Sequence, residues 1–135
     1  MSDKQAVMPL EVAEQEFERM CDAYRIETDM SGEDDEATKG FNELKSKLCK
    51  AFMRGDLVLN DHGRPVYTTG EGSRLEFKPF TGAMLLAMDK AKANDGTRRM
   101  YLFLSEITDG ALAPSKLDKR DTNVLFALGS LFLAM

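Results

Sequence analysis

The chain has 135 residues, 43% of them hydrophobic and 30% charged, and a net charge of −5. That size and apolar share suit a single domain around one core, and the negative balance argues against a phosphate backbone as the main ligand, which calls for a basic face. The acidity is uneven: residues 1–60 carry 14 acidic and 8 basic side chains and residues 61–135 carry 9 and 10, so the two parts stand at −6 and +1.

The opening "MSDKQAVMPLEVAEQEFERM" has no basic stretch followed by an apolar one, so it does not read as a signal peptide. From there to Arg54 the pattern is that of a helical hairpin, residues 9–54. Leu10, Ala13, Phe17, Met20, Cys21 and Tyr24 recur at three-to-four spacing, with Glu11, Glu14, Glu18 and Arg25 on the opposite side. A second helix from about Asp35 repeats the spacing with Ala37, Phe41, Leu44, Leu48, Ala51 and Phe52, and Lys45, Lys47 and Lys50 form its wet face. The acidic stretch 28–39 between them reads as a mobile loop. An EF-hand would need glycine at the sixth ligand position, but counting from Asp29 the glycine, Gly32, is fourth. No metal is therefore expected there. Cys21 and Cys49 lie far apart on apolar faces and read as buried thiols.

Residues 55–78 change period. "LVLNDHGRPVYT" flanks a turn at Asn60-Asp61-His62-Gly63 with strand formers, "TTGEGS" makes a second turn, and "RLEFK" alternates Leu75 and Phe77 with charged neighbours. A three-stranded antiparallel meander results, with Pro65 at an edge or a strand start. The only histidine, His62, falls at the turn with no nucleophile or carboxylate patterned against it.

Residues 79–135 are helical again. Thr81 can cap a helix that carries Met84, Leu85, Met88 and Ala91 to about Asn94, and Thr97 can cap the next, whose face holds Met100, Phe103, Leu104 and Ile107. Pro114 breaks the chain, and Asp118 caps a last helix with Asp121 at its third position. After Asp121 no charged residue follows. That uncharged run is well short of the ~20 residues that cross a bilayer, so no membrane partner is expected. Val124, Leu125, Leu128, Leu131, Phe132 and Met135 share one face of this helix, and Thr122, Phe126, Gly129 and Leu133 the other. Both faces are largely apolar and both must be covered. Either Phe126 and Leu133 meet a partner beside the close approach that Gly129 allows, or the helix runs buried through the centre of the domain. Met84 and Met88, one turn apart, either offer an adaptable binding surface or fill the core.

The fold class expected is α+β: two N-terminal helices, a small three-stranded meander and three C-terminal helices in a single domain. Gly-rich phosphate loops, CxxC, HExxH and GxSxG patterns are all missing from the sequence, so the expectation is a non-enzyme with no cofactor.

"LEFKPFTGAMLLAMD", "YLFLSEITDGALAPSKLDKRD" and "LGSLFL" resemble, in that order, the tail assembly chaperones of long-tailed bacteriophages. The matching positions are Leu75, Phe77, Pro79, Leu85, Leu104, Thr108, Leu117, Asp118, Asp121, Phe132 and Leu133, so the resemblance covers residues 75–135 and leaves the acidic hairpin unmatched. It implies a transient role in the cytoplasm of the bacterial host: binding the helical tape-measure protein, helping recruit the tail tube protein, and absence from the mature virion. A homo-oligomer is compatible with the exposed face of the last helix. Two other classes suit the chain's size and charge: a head–tail joining protein, or an acidic regulator that covers a basic partner.

Overall fold

A computed structural model describes residues 8–133. Its elements follow the expected α+β order. Two helices, α1 (Leu10–Ala23) and α2 (Asp35–Arg54), precede strands β1 (Leu57–Leu59), β2 (Pro65–Thr68) and β3 (Arg74–Glu76). Helices α3 (Gly82–Met88), α4 (Gly96–Ile107) and α5 (Lys119–Leu133) complete the chain, with one 3-10 turn at Pro114–Lys116.

The helical hairpin forms because α1 and α2, adjacent in the chain, each have an apolar stripe that the other helps cover. Ala13, Phe17, Met20 and Cys21 of α1 pack on Leu48, Cys49, Ala51 and Phe52 of α2, all buried. The Asp34 side chain accepts from Ala37 N–H at 2.7 Å and starts α2 at Asp35, where the second helix was expected to begin, so residues 35–39, also assigned to the acidic loop 28–39, are helical. Two carboxylates in the first turn, Asp35 and Glu36, favour the positive end of the helix. Gly55 closes α2 in the left-handed region at φ 83°.

The meander is antiparallel in the order β1-β2-β3. Leu57 pairs with Tyr67 and Leu75 pairs with Tyr67 from the other side, so these three side chains share the inner face. Pro65 opens the central strand, opposite Leu59, where it has no N–H to donate but its carbonyl accepts from Phe77 at 3.0 Å. The first turn is tightened by Asn60, whose side-chain oxygen accepts from His62 N–H at 2.8 Å and Arg64 N–H at 3.1 Å. Gly63 in that turn has φ 77°, and a Cβ there would press on Ala23 Cβ at 3.0 Å, so glycine is needed twice over.

The C-terminal helices depart from the sequence expectation in two places. Helix α3 keeps its Thr81 cap but stops at Met88. Tight bonds from Lys90 N–H to Ala87 O and Ala91 N–H to Met88 O carry the chain on in turns, which still bury Ala91. Its inner face is Met84, Ala87 and Ala91; Leu85, expected inside, is 45% exposed beside Leu86 at 71%. In α4 the cap is Asp95, not Thr97: its carboxylate accepts from Arg98 N–H at 3.1 Å, which places Gly96 at the first helical position.

Helix α5 lies at the centre. It packs on α2 on one side and α4 on the other, so the two helical segments join into one core across it. Asp121, Val124, Leu125, Ala127, Leu128, Gly129, Leu131 and Phe132 are buried, eight of its fifteen residues, and Phe126 and Leu133 are half-buried. A helix covered from both sides has no room for charge, which is why the last part of the sequence has none. Met135, expected on the same face, lies outside the described residues.

Candidate partner-binding groove

Helix α2 has an apolar stripe longer than its cover. From Leu48 onward the stripe is buried under α1, α5 and β1. Toward the N-terminus Phe41 and Leu44 are only half-buried and Ala37 is exposed. A half-open cavity of about 930 Å³ occupies that uncovered end.

Its floor is made by α5, through the buried Leu131 and Phe132. Its walls are half-buried apolar side chains: Phe41 and Leu44 from α2, Ile26 and Met30 from the α1–α2 loop, and Tyr24 and Phe80. Aromatic contacts hold several of these in place. Phe41 meets Phe17 edge-on at 5.8 Å between centroids, Tyr24 stacks on Phe132 at 4.3 Å, and Phe80 tilts against Phe103 at 5.8 Å. The Tyr24 hydroxyl also donates to Lys78 O at 2.8 Å, which ties the mouth of the groove to the chain leaving β3. Burial raises the Tyr24 phenol above its ordinary range, with Arg64 opposing.

The rim is charged. Glu27, Asp29, Glu33 and Glu43 are all exposed around the opening, with Arg25 the one basic residue among the lining side chains. Hydrogen bonds from Ser31, first from its side chain and then from its backbone N–H at 2.9 Å, hold the Asp29 carboxyl below its ordinary value. Among the described residues no three His, Cys, Asp or Glu side chains come together in a way that could hold a metal ion.

The residues singled out from sequence as partner contacts lie elsewhere. Gly129 does allow a close helix approach, but α4 of the same chain makes it: a Cβ there would collide with Met100 Sδ and meet Met100 Cε at 3.2 Å. Phe126 is half-buried edge-on against Tyr101 at 5.1 Å, and Leu133 is half-buried against the core. Met84 is 2% exposed, with its sulfur accepting from Thr81 N–H at 3.2 Å at the start of α3. Met88 is half-buried. Sequence alone does not mark the groove, because Ala37, Phe41 and Leu44 carry the same spacing as the buried part of the α2 stripe.

Both cysteines are free and buried. Burial, then the charges of Glu18 and Asp22, pushes the Cys21 thiol up to about 12, with Lys45 opposing, and burial likewise raises Cys49. Asp118 and Asp121, the carboxylate pair of the Leu-Asp-x-x-Asp stretch, are taken up by structure. Asp118 Oδ1 accepts from Asp121 N–H at 2.8 Å, and Asp121 Oδ2 accepts from Asp118 N–H at 3.1 Å, a reciprocal cap. Asp121 Oδ1 also accepts from the Tyr67 hydroxyl at 2.8 Å, and Gly70 N–H reaches both Asp121 oxygens at 3.1 Å.

Comparison of the chain with family models, curated proteins and solved structures gives no match. No helix among the described residues is long and apolar enough to cross a membrane.

Proposed function

We propose that this protein is a tail assembly chaperone of a long-tailed bacteriophage, a non-enzymatic protein that holds helical stretches of the tape-measure protein in the cytoplasm of the infected host until tail tube subunits replace it. The observation that carries the reading is the groove: an apolar stripe on α2 that runs past its own cover, floored by the end of α5, with rim charges that stay solvated. Helix-binding proteins use such a groove to receive the apolar face of an amphipathic helix. A small-molecule site of this volume would be expected to aim a few polar groups inward, whereas here the polar side chains stand on the rim.

Tagged protein recovered from infected cells tests the reading. A chaperone brings down the tape-measure protein and is missing from purified particles. A head–tail joining protein would be found in the particles, and an acidic regulator would bring down a basic host protein instead.

A further inference from the structure

Three features of the groove, beyond its apolar floor, restrict what can occupy it. The first is charge: four carboxylates against one guanidinium leave its lining at −3. The second is their placement on exposed positions around an apolar interior, so an occupant must be apolar along its middle and basic along its edges.

The third is Gly40. Glycine inside a helix weakens it relative to alanine; Gly82 and Gly96 stand at the first positions of α3 and α4, and only Gly40 and Gly129 lie further inside a helix. Gly129 has a packing reason, because Met100 lies against it. Gly40 stands well inside α2, yet a Cβ added there would meet nothing within 4 Å. It lines the groove together with the small Ala37 one turn earlier. The packing inside this chain gives no use for that bare backbone, and it sits where a second helix would cross.

We propose that the groove takes a basic amphipathic helix, which crosses α2 over Ala37 and Gly40, sets its apolar stripe on Phe41, Leu44 and the end of α5, and aligns flanking Lys or Arg with Glu27, Asp29, Glu33 and Glu43. This rests on the helix-holding reading above and adds the sign of the client's charge and the point of crossing. Rim pairs of this kind contribute to orientation and association rate and are screened by salt. The apolar floor supplies the salt-independent part of the binding.

Two designed helical peptides with the same leucine stripe, one with lysines and one with glutamates at the flanking positions, test this against the full chain. The lysine peptide is expected to bind at least about tenfold more tightly than the glutamate peptide at about 0.1 M salt, with the difference shrinking toward 1 M as the screening length falls from about 10 Å to about 3 Å. Amide shifts are expected at Gly40, Phe41, Leu44 and Leu131. Gly40→Leu keeps every rim charge and places its side chain in open space within the groove, so the variant should unfold no earlier than the parent yet bind the lysine peptide at least about tenfold more weakly. Equal binding of the two peptides, shifts confined to other surfaces, or unchanged binding by Gly40→Leu would each overturn the proposal. If the peptides bind alike in the groove while the tape-measure protein still co-purifies, the charge rule falls and the chaperone reading stands. If the lysine peptide binds as expected but no tape-measure protein is recovered, the chaperone reading falls and the groove's preference stands.

Discussion

Asp121 is 2% exposed, and its two oxygens serve a hydroxyl and two backbone N–H groups drawn from three parts of the chain. Tyr67 belongs to the central strand, Gly70 to the turn after it and Asp118 to the start of α5, so one side chain fastens the meander to the central helix. Gly70 has to be glycine for this, since a Cβ there would collide with Asp118 Oδ2 and reach Asp121 Oδ2 at 3.6 Å. Hydrogen bonds to a charged group contribute about 1.5–3 kcal/mol each, and a buried donor left without its partner costs about 1–3 kcal/mol. Tyr67→Phe should therefore lower the unfolding free energy in urea by about 2 kcal/mol, and Asp121→Ala by about 3 kcal/mol or more. The two losses should not add, because they share a bond; additive losses would show that Tyr67 and Asp121 act separately. Burial, then the Asp121 hydrogen bond and charge, raises the Tyr67 phenol, and burial raises Tyr24. The unfolded chain loses a phenolic proton near pH 10 and the folded chain only above that. Above about pH 10 the unfolded state then binds fewer protons, and stability falls as pH rises. Tyrosinate absorbance from these two residues should appear together with unfolding rather than before it.

At the scale of the element, α5 and α2 each carry an apolar stripe, on α5 with a second apolar face and on α2 with a lysine-rich wet face, and the two are covered to different extents. Periodicity marks a face as apolar; it does not say what covers the face. For α5 the cover comes from two sides, leaving Phe126 and Leu133 half-buried, and the second neighbour is α4, which brings Met100 onto Gly129. Gly129→Ala trades about 0.5–1 kcal/mol of helix preference for about 1–3 kcal/mol of overpacking, a net loss of about 1 kcal/mol. Combined with Met100→Ala, which clears the space, the same change should become stabilising by thermal unfolding. A loss of the same size in both backgrounds would place the crowding elsewhere. For α2 the cover leaves Phe41 and Leu44 half-buried, and Tyr24, Ile26, Met30 and Phe80 stand beside them over the end of α5 to make a groove. Of the caps expected from sequence, Thr81 and Asp118 hold because they act through local hydrogen bonds that depend on neighbours in sequence, whereas Thr97 gives way to Asp95, and Asp34 is a cap not expected from sequence. The end of α3 and the inward face of Met84 were set by packing against α4, which no local pattern encodes. Gly40, not singled out from sequence, gains meaning only once the space around it is known to be open.

For the whole molecule, the division of charge now has a place in the fold. Four of the fourteen acidic side chains of residues 1–60, Glu27, Asp29, Glu33 and Glu43, stand around the groove. One core spans both helical segments, and the meander is tied to it through Asp121 and through Tyr24 on Lys78 O. The uncovered end of α2 lies against that core, with Leu131 and Phe132 of α5 beneath it. Gly40→Ala, with nothing near its Cβ, should raise the unfolding free energy of the free protein by about 0.5–1 kcal/mol, as read from urea unfolding; a loss would mean that the site is already filled by this chain. The most direct measurement of the account is recovery of partners from infected cells by the parent chain and by Gly40→Leu in parallel. The account predicts tape-measure protein with the parent, much less with the variant, and neither form in purified particles; equal recovery by both, or the chain itself in the particles, would contradict it.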